Sequence, residues 1–148
     1  MGRTQSPKII ARSIGDTQTM HHSPHGHAAN AYKRNEILNA TPGKIILLLY
    51  DGAIQSLQRA RMDLLSPGKE RSAQVGESLG KAMSIIGELR TCLDHDASKE
   101  IAGNLDRLYD FCLEQIYKTN IQRSAEEITS AIRVMKTLKE GWDAIIPA

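Results

Sequence analysis

Apolar residues recur every three or four positions in four successive stretches of this chain, and a chain patterned in this way buries its apolar side chains by packing helix on helix. The first stretch carries Ile45, Leu49, Ala53, Leu57, Ala60 and Leu64, and the second Val75, Leu79, Ala82, Ile86, Leu89 and Leu93, with Met83 and Ile85 widening the stripe. The third carries Ile101, Leu105, Leu108, Cys112 and Ile116; the fourth carries Ile128, Ala131, Ile132, Met135, Leu138 and Trp142, the cleanest period of all. An aromatic share of only 4% agrees, because sheets favour β-branched and aromatic side chains.

Punctuation between the stripes sets the helix ends. Thr41 followed by Pro42 is a helix start, since threonine caps and proline suits the first helical position, where its missing N–H costs nothing. Ser66-Pro67-Gly68 ends that helix near Leu65, and the second runs from about Ser72 to Leu93. A turn from Asp94 to Ser98 leads into the third, which Asn120 can close, and Ser124 with Glu127 has the spacing of a capping box before the fourth, which continues to about Trp142. Four helices joined by short connections predict an all-α, antiparallel, up-and-down four-helix bundle.

Ahead of the bundle, residues 1–29 are polar and broken by Pro7, Gly15, Pro24 and Gly26, and predict a flexible N-terminal arm; residues 30–148 form the bundle domain, with a short helical or extended cap at its start. His21, His22, His25 and His27 cluster in the arm without a nearby Cys, Asp or Glu, so no metal or other cofactor is expected.

Charge and composition exclude several function classes. Nineteen basic and seventeen acidic residues leave a net charge of +2, and both signs are interleaved along the chain, so no nucleic-acid partner is predicted. No apolar run approaches the roughly 20 residues that span a bilayer, and the N-terminus has no secretory signal, which predicts a cytoplasmic protein without membrane insertion. Cys92 and Cys112 have no zinc-type spacing and read as small buried hydrophobes. The ordered part offers one histidine, His95, in a polar turn between Asp94 and Asp96, and no glycine-rich phosphate loop or helical Glu-x-x-His pair. Nothing there builds a catalytic constellation, so the chain reads as a non-enzyme.

What remains is surface. Gly76, Gly80 and Gly87 in the second stretch and Gly103 in the third each cost up to about 1 kcal/mol relative to alanine in a helix interior. Either helices pack closely there or a shallow surface is kept for a bound segment. Tyr109, Phe111 and Tyr117 cannot all point inward with Leu105, Leu108 and Cys112, and an exposed apolar groove of that kind receives an amphipathic helix.

Several segments resemble the bacterial flagellin-specific export chaperones, the flagellar secretion chaperone family: Ala31-Tyr32-Lys33, Ala40 to Lys44, Leu48 to Ala53, Ala60-Arg61, Lys81 to Leu89, Glu100 to Phe111, and the closing Trp142. The resemblance covers about Asn30 to Ile146. It implies a four-helix bundle that binds the disordered C-terminal segment of flagellin, blocks premature polymerisation and delivers flagellin to the type III export apparatus. It also implies that the segment around Tyr32 covers the groove and docks at the export gate. Joined to the apolar surplus, it points to Tyr32, Ile86, Leu89, Leu93, Leu105, Tyr109 and Ile116 as candidate partner contacts, while Tyr50 is expected to be core. A four-helix regulatory or adaptor module binding another amphipathic helix is the alternative, and homodimerisation stays open.

Overall fold

The computed structural model describes residues 41–146, and these form four α-helices and no sheet. Helix α1 spans Pro42–Leu65, α2 Ala73–Thr91, α3 Lys99–Gln122 and α4 Glu126–Ile145. Each packs against its neighbours in the order α1–α2–α3–α4–α1, so α1 and α3 face one another across one diagonal and α2 and α4 across the other. The four-helix architecture expected from the stripes is present.

The caps follow the residues at the ends. Thr41 Oγ1 accepts a hydrogen bond from the Lys44 amide at 3.2 Å, with Pro42 opening α1, and Ser98 Oγ accepts from the Ile101 amide at 3.4 Å at the start of α3. Between α2 and α3, Asp94 Oδ1 accepts from the amides of Asp96 and Ala97, each at 3.1 Å, and turns the chain.

Two expected boundaries are corrected. Helix α3 runs past Asn120 to Gln122, and its C-cap is Arg123 at φ 55°, a left-handed conformation that a non-glycine residue adopts at a cost of roughly 1–2 kcal/mol. Its guanidinium offsets that cost by donating to the carbonyls of Ser72 at 3.0 Å, Glu70 at 3.3 Å and Asn120 at 2.9 Å, tying the α1–α2 connection to the end of α3. Ser124 and Glu127 do meet, but side chain to side chain at 3.3 Å: α4 begins at Glu126 after Ala125, so Ser124 stands one residue too early to cap it.

Inside the bundle the stripes interlock as one core. Its centre is polar at three atoms. Trp142 Nε1 donates to Tyr50 Oη at 3.0 Å, and Tyr50 Oη shares a 2.5 Å hydrogen bond with Tyr109 Oη. Tyr50 is 0% exposed, Tyr109 1% and Trp142 5%, so this chain of bonds joins α1, α3 and α4 with almost no water to compete. The rings are tilted against one another, with centroids 6.4 Å apart for Tyr50–Tyr109 and 6.5 Å for Tyr50–Trp142. Cys92 and Cys112 are buried, and the Cys112 thiol points at the Ala131 carbonyl of α4 at 3.8 Å.

Burial pushes the Tyr50 hydroxyl up to about 12, raises Tyr109 well above the usual tyrosine value, and pushes the Cys112 thiol up to about 12. In the unfolded chain these groups lose their protons first, from about pH 9 to 10, so the folded state holds more protons across that window and its stability falls as pH rises toward 12. Thermal melts from neutral pH to about pH 12 should show a steady loss above about pH 9, shallower in Tyr50→Phe because one titrating group is gone. Truncation of Trp142 to alanine should cost about 3–5 kcal/mol in denaturant titration, since it empties a buried volume and removes a donor from Tyr50.

Candidate functional site

Six of the candidate contacts are in the core. Ile86 and Ile116 are 0% exposed, Tyr109 1%, Leu89 and Leu93 3%, and Leu105 8%, which corrects the expectation that they form an open surface. The reason is geometric: each lies on the central line of its stripe, and the stripe's centre turns inward when four helices close. The seventh, Tyr32, lies outside the described residues, as do the N-terminal arm and its histidines. Tyr50 is core, as expected.

The apolar surplus is real, and it sits beside those residues. Met83 on α2 and Leu108, Phe111, Tyr117 and Ile121 on α3 are exposed, Tyr117 by 60% and Ile121 by 56%. Of the three aromatics that could not all turn inward, Tyr109 is buried while Phe111 and Tyr117 face out.

Helical spacing places two of these residues, Met83 and Tyr117, along the seam between α2 and α3, whereas Leu108 and Phe111 stand on the other edge of α3. Positions 76, 80, 83, 87 and 90 form one line along α2, and positions 106, 110, 113, 117 and 120 form one along α3. The lines face each other, because their ends are joined. At one end Arg90 Nε donates to Asp106 Oδ1 at 2.5 Å and Arg90 Nη1 to Asp110 Oδ1 at 3.4 Å. At the other, a Cβ on Gly76 would lie 3.6 Å from the Arg123 guanidinium and 4.0 Å from Asn120 Oδ1.

Antiparallel register then places Gly80, Met83 and Gly87 opposite Leu113 and Tyr117 in the middle. Added Cβ atoms at Gly80 and Gly87 would meet no atom of another helix within 4 Å, so these glycines are not there to let helices touch. Of the four neighbouring pairs, α2 and α3 also meet least closely. The result is a shallow, elongated groove: glycines and Met83 on one wall, Leu113 and Tyr117 on the other, the Arg90–Asp106 ion pair closing one end and Arg123 the other. The larger share of the sequence signal was available in the glycine spacing; what could not be read there was which aromatic turned outward.

Such a groove has the chemistry to accept an apolar helical ridge. Among the described residues no cluster of His, Cys, Asp or Glu is placed to hold a metal ion, and no helix is long and apolar enough to cross a membrane.

Comparison with known proteins gives a consistent result. Residues 25–148 match the family model described as "Flagellar protein FliS". The chain is 35% identical over 122 residues to the flagellar secretion chaperone FliS of Vibrio cholerae, a match covering 79% of this chain and 87% of that protein. It is 33% identical over 110 residues to the flagellar secretion chaperone FliSB of Pseudomonas aeruginosa, covering 74% and 85%. A solved structure titled "Crystal structure of flagellar chaperone from bacteria" shares the fold, with a TM-score of 0.63 at 24% identity over 78% of this chain and 94% of that one.

Because Gly80 and Gly87 lose helix propensity without gaining a contact, replacing either by alanine should stabilise the bundle by up to about 1 kcal/mol in chemical denaturation. No gain, or a loss, would mean that something packs against these positions after all.

Proposed function

The chain belongs to the FliS family of flagellar secretion chaperones, and from that membership we propose that it binds the disordered C-terminal segment of newly made flagellin in the cytoplasm, keeps it from polymerising and hands it to the flagellar export apparatus. The observation that carries the proposal is the open α2–α3 seam, where Gly80 and Gly87 cost helix stability and a Cβ on either would meet no other helix. A segment that is disordered before binding pays its ordering entropy on capture, so it can cover a long surface and still be released. An elongated groove with exposed Met83, Tyr117 and Ile121 along it suits such a segment, folded into an amphipathic helix with its apolar side down.

In this reading the buried candidates have a supporting part. Ile86, Leu89 and Leu93 lie under the α2 wall, and Leu105, Tyr109 and Ile116 under the α3 wall, so they set its shape without touching the guest. Tyr32 keeps the role the resemblance assigns it, covering the groove and docking at the export gate. The chemistry is holding and release, with no bond made or broken and no nucleotide consumed.

Co-purification with flagellin carrying or lacking its C-terminal segment tests the proposal directly. Capture should require that segment. Met83→Glu combined with Tyr117→Glu should leave a folded bundle, because exposed positions usually change stability by only about 0.5 kcal/mol, yet weaken capture by roughly 30-fold or more. Tyr109→Glu should instead unfold the protein, since it places a charge in the centre of the core. Undiminished capture by the folded double variant would remove the α2–α3 groove as the site, and absence of any flagellin capture by the wild-type chain would remove the function.

A further inference from the structure

On the opposite side of the bundle, between α1 and α4, lies a cleft of about 310 Å³ lined by Gln58, Arg61, Thr129, Ile132, Arg133 and Lys136. Arg61, Arg133 and Lys136 are exposed, no acidic side chain lines the cleft with them, and none of the three joins an ion pair among the described residues. The one hydrogen bond that holds a rim cation goes to an uncharged acceptor, Arg61 Nε donating to Thr129 Oγ1 at 3.3 Å. Further along the same two helices Lys139 is paired, lying 3.5 Å from Asp51 and 3.0 Å from Asp143. Along the sequence the two signs are interleaved; the fold brings three cations together here.

The cleft continues into exposed apolar surface. Met62 follows Gln58 by four residues and Leu65 follows Arg61 by four, so both stand one helical turn further along the same side of α1. They are 71% and 60% exposed, and nothing in the four-helix core requires leucine or methionine there. A basic cleft with an apolar extension and a buried floor residue, Ile132, is a mixed surface with a definite complement.

We propose that the α1–α4 cleft is a second docking site, which takes an acidic amphipathic segment of a partner polypeptide while the α2–α3 groove is occupied. Carboxylates pair with Arg61, Arg133 and Lys136, and apolar side chains of the segment cover Met62 and Leu65. The chain's own first forty residues are a poor occupant: they carry Arg3, Lys8, Arg12, Lys33 and Arg34 against Asp16 and Glu36. Because α1–α4 and α2–α3 are opposite seams of the ring, occupation of one leaves the other open, and the site is independent of the function proposed above.

Fluorescence anisotropy with a labelled peptide of about 14 residues, leucine at helical spacing on one face and glutamate elsewhere, tests this. The full-length protein should bind it, and binding should weaken steeply as salt rises. Arg133→Glu combined with Lys136→Glu should weaken it by about tenfold or more while flagellin capture and the melting temperature stay near those of the wild type. Met83→Glu combined with Tyr117→Glu should leave peptide binding unchanged. Should the charge reversal also unfold the bundle, Arg133→Gln combined with Lys136→Gln should show the same direction with a smaller effect. Equal binding of the glutamine version of the peptide, equal binding by the charge-reversed variant, loss caused only by the groove variant, or tighter binding of a short DNA duplex would each overturn the proposal. So would a wild-type homodimer that the charge reversal disperses.

Discussion

The hydrogen-bonded contact of Tyr50, Tyr109 and Trp142 is the constraint on which the rest of the bundle depends. Leucine and isoleucine stripes tolerate sliding, because one apolar side chain replaces another at similar free energy. A phenol and an indole N–H in a dry core do not, since a slip of one turn would leave buried polar atoms without partners at a cost of about 1–3 kcal/mol each. By joining α1 to α3 across the diagonal and α1 to α4 beside it, the cluster sets the register of three helices at once. Helix α2 is placed by other means, chiefly its close packing on α1, where Gly52 lets Ile85 approach.

That division explains why the groove lies where it does. Helix α2 meets α1 more closely than it meets α3, and the polar links toward α3 are Arg90 with Asp106 and Asp110 near one end and, just before the other end, the carbonyls of Glu70 and Ser72 with Arg123. Polar clasps near the ends hold the outer edges of the two helices side by side, while their apolar stripes pack in the core beneath. In the proposed function, the space in the middle is where the guest would lie.

The opposite seam is built differently. Between α1 and α4 the fold gathers Arg61, Arg133 and Lys136 over Ile132, so the two long surfaces of one small protein differ in kind: one apolar and lined with glycine, the other basic with an apolar extension. On the two proposals together, guests of different chemistry would be distinguished on a domain whose four described helices have only 19 to 24 residues each.

Helix number, helix order and nearly all of the core could be read from the chain, because a repeat of three and four residues has one low-energy arrangement and Thr41-Pro42, Ser98 and the Asp94 turn mark where it starts and stops. The inward place of Tyr50 and Trp142 could be read for the same reason. Tertiary structure alone decided which side of each stripe faced out: Tyr109 and Tyr117 are two turns apart in sequence and alike in chemistry, yet one is bonded to Tyr50 in the core and the other is exposed on the groove. Six candidate contacts were misplaced because they lie on the central lines of their stripes, which turn inward when four helices close, while the open positions stand at the edges. Arg123 as the cap of α3, and the three cations of the α1–α4 cleft, depend on residues 51 to 75 positions apart in the chain meeting in space, and local patterning holds no record of which distant residues will be neighbours.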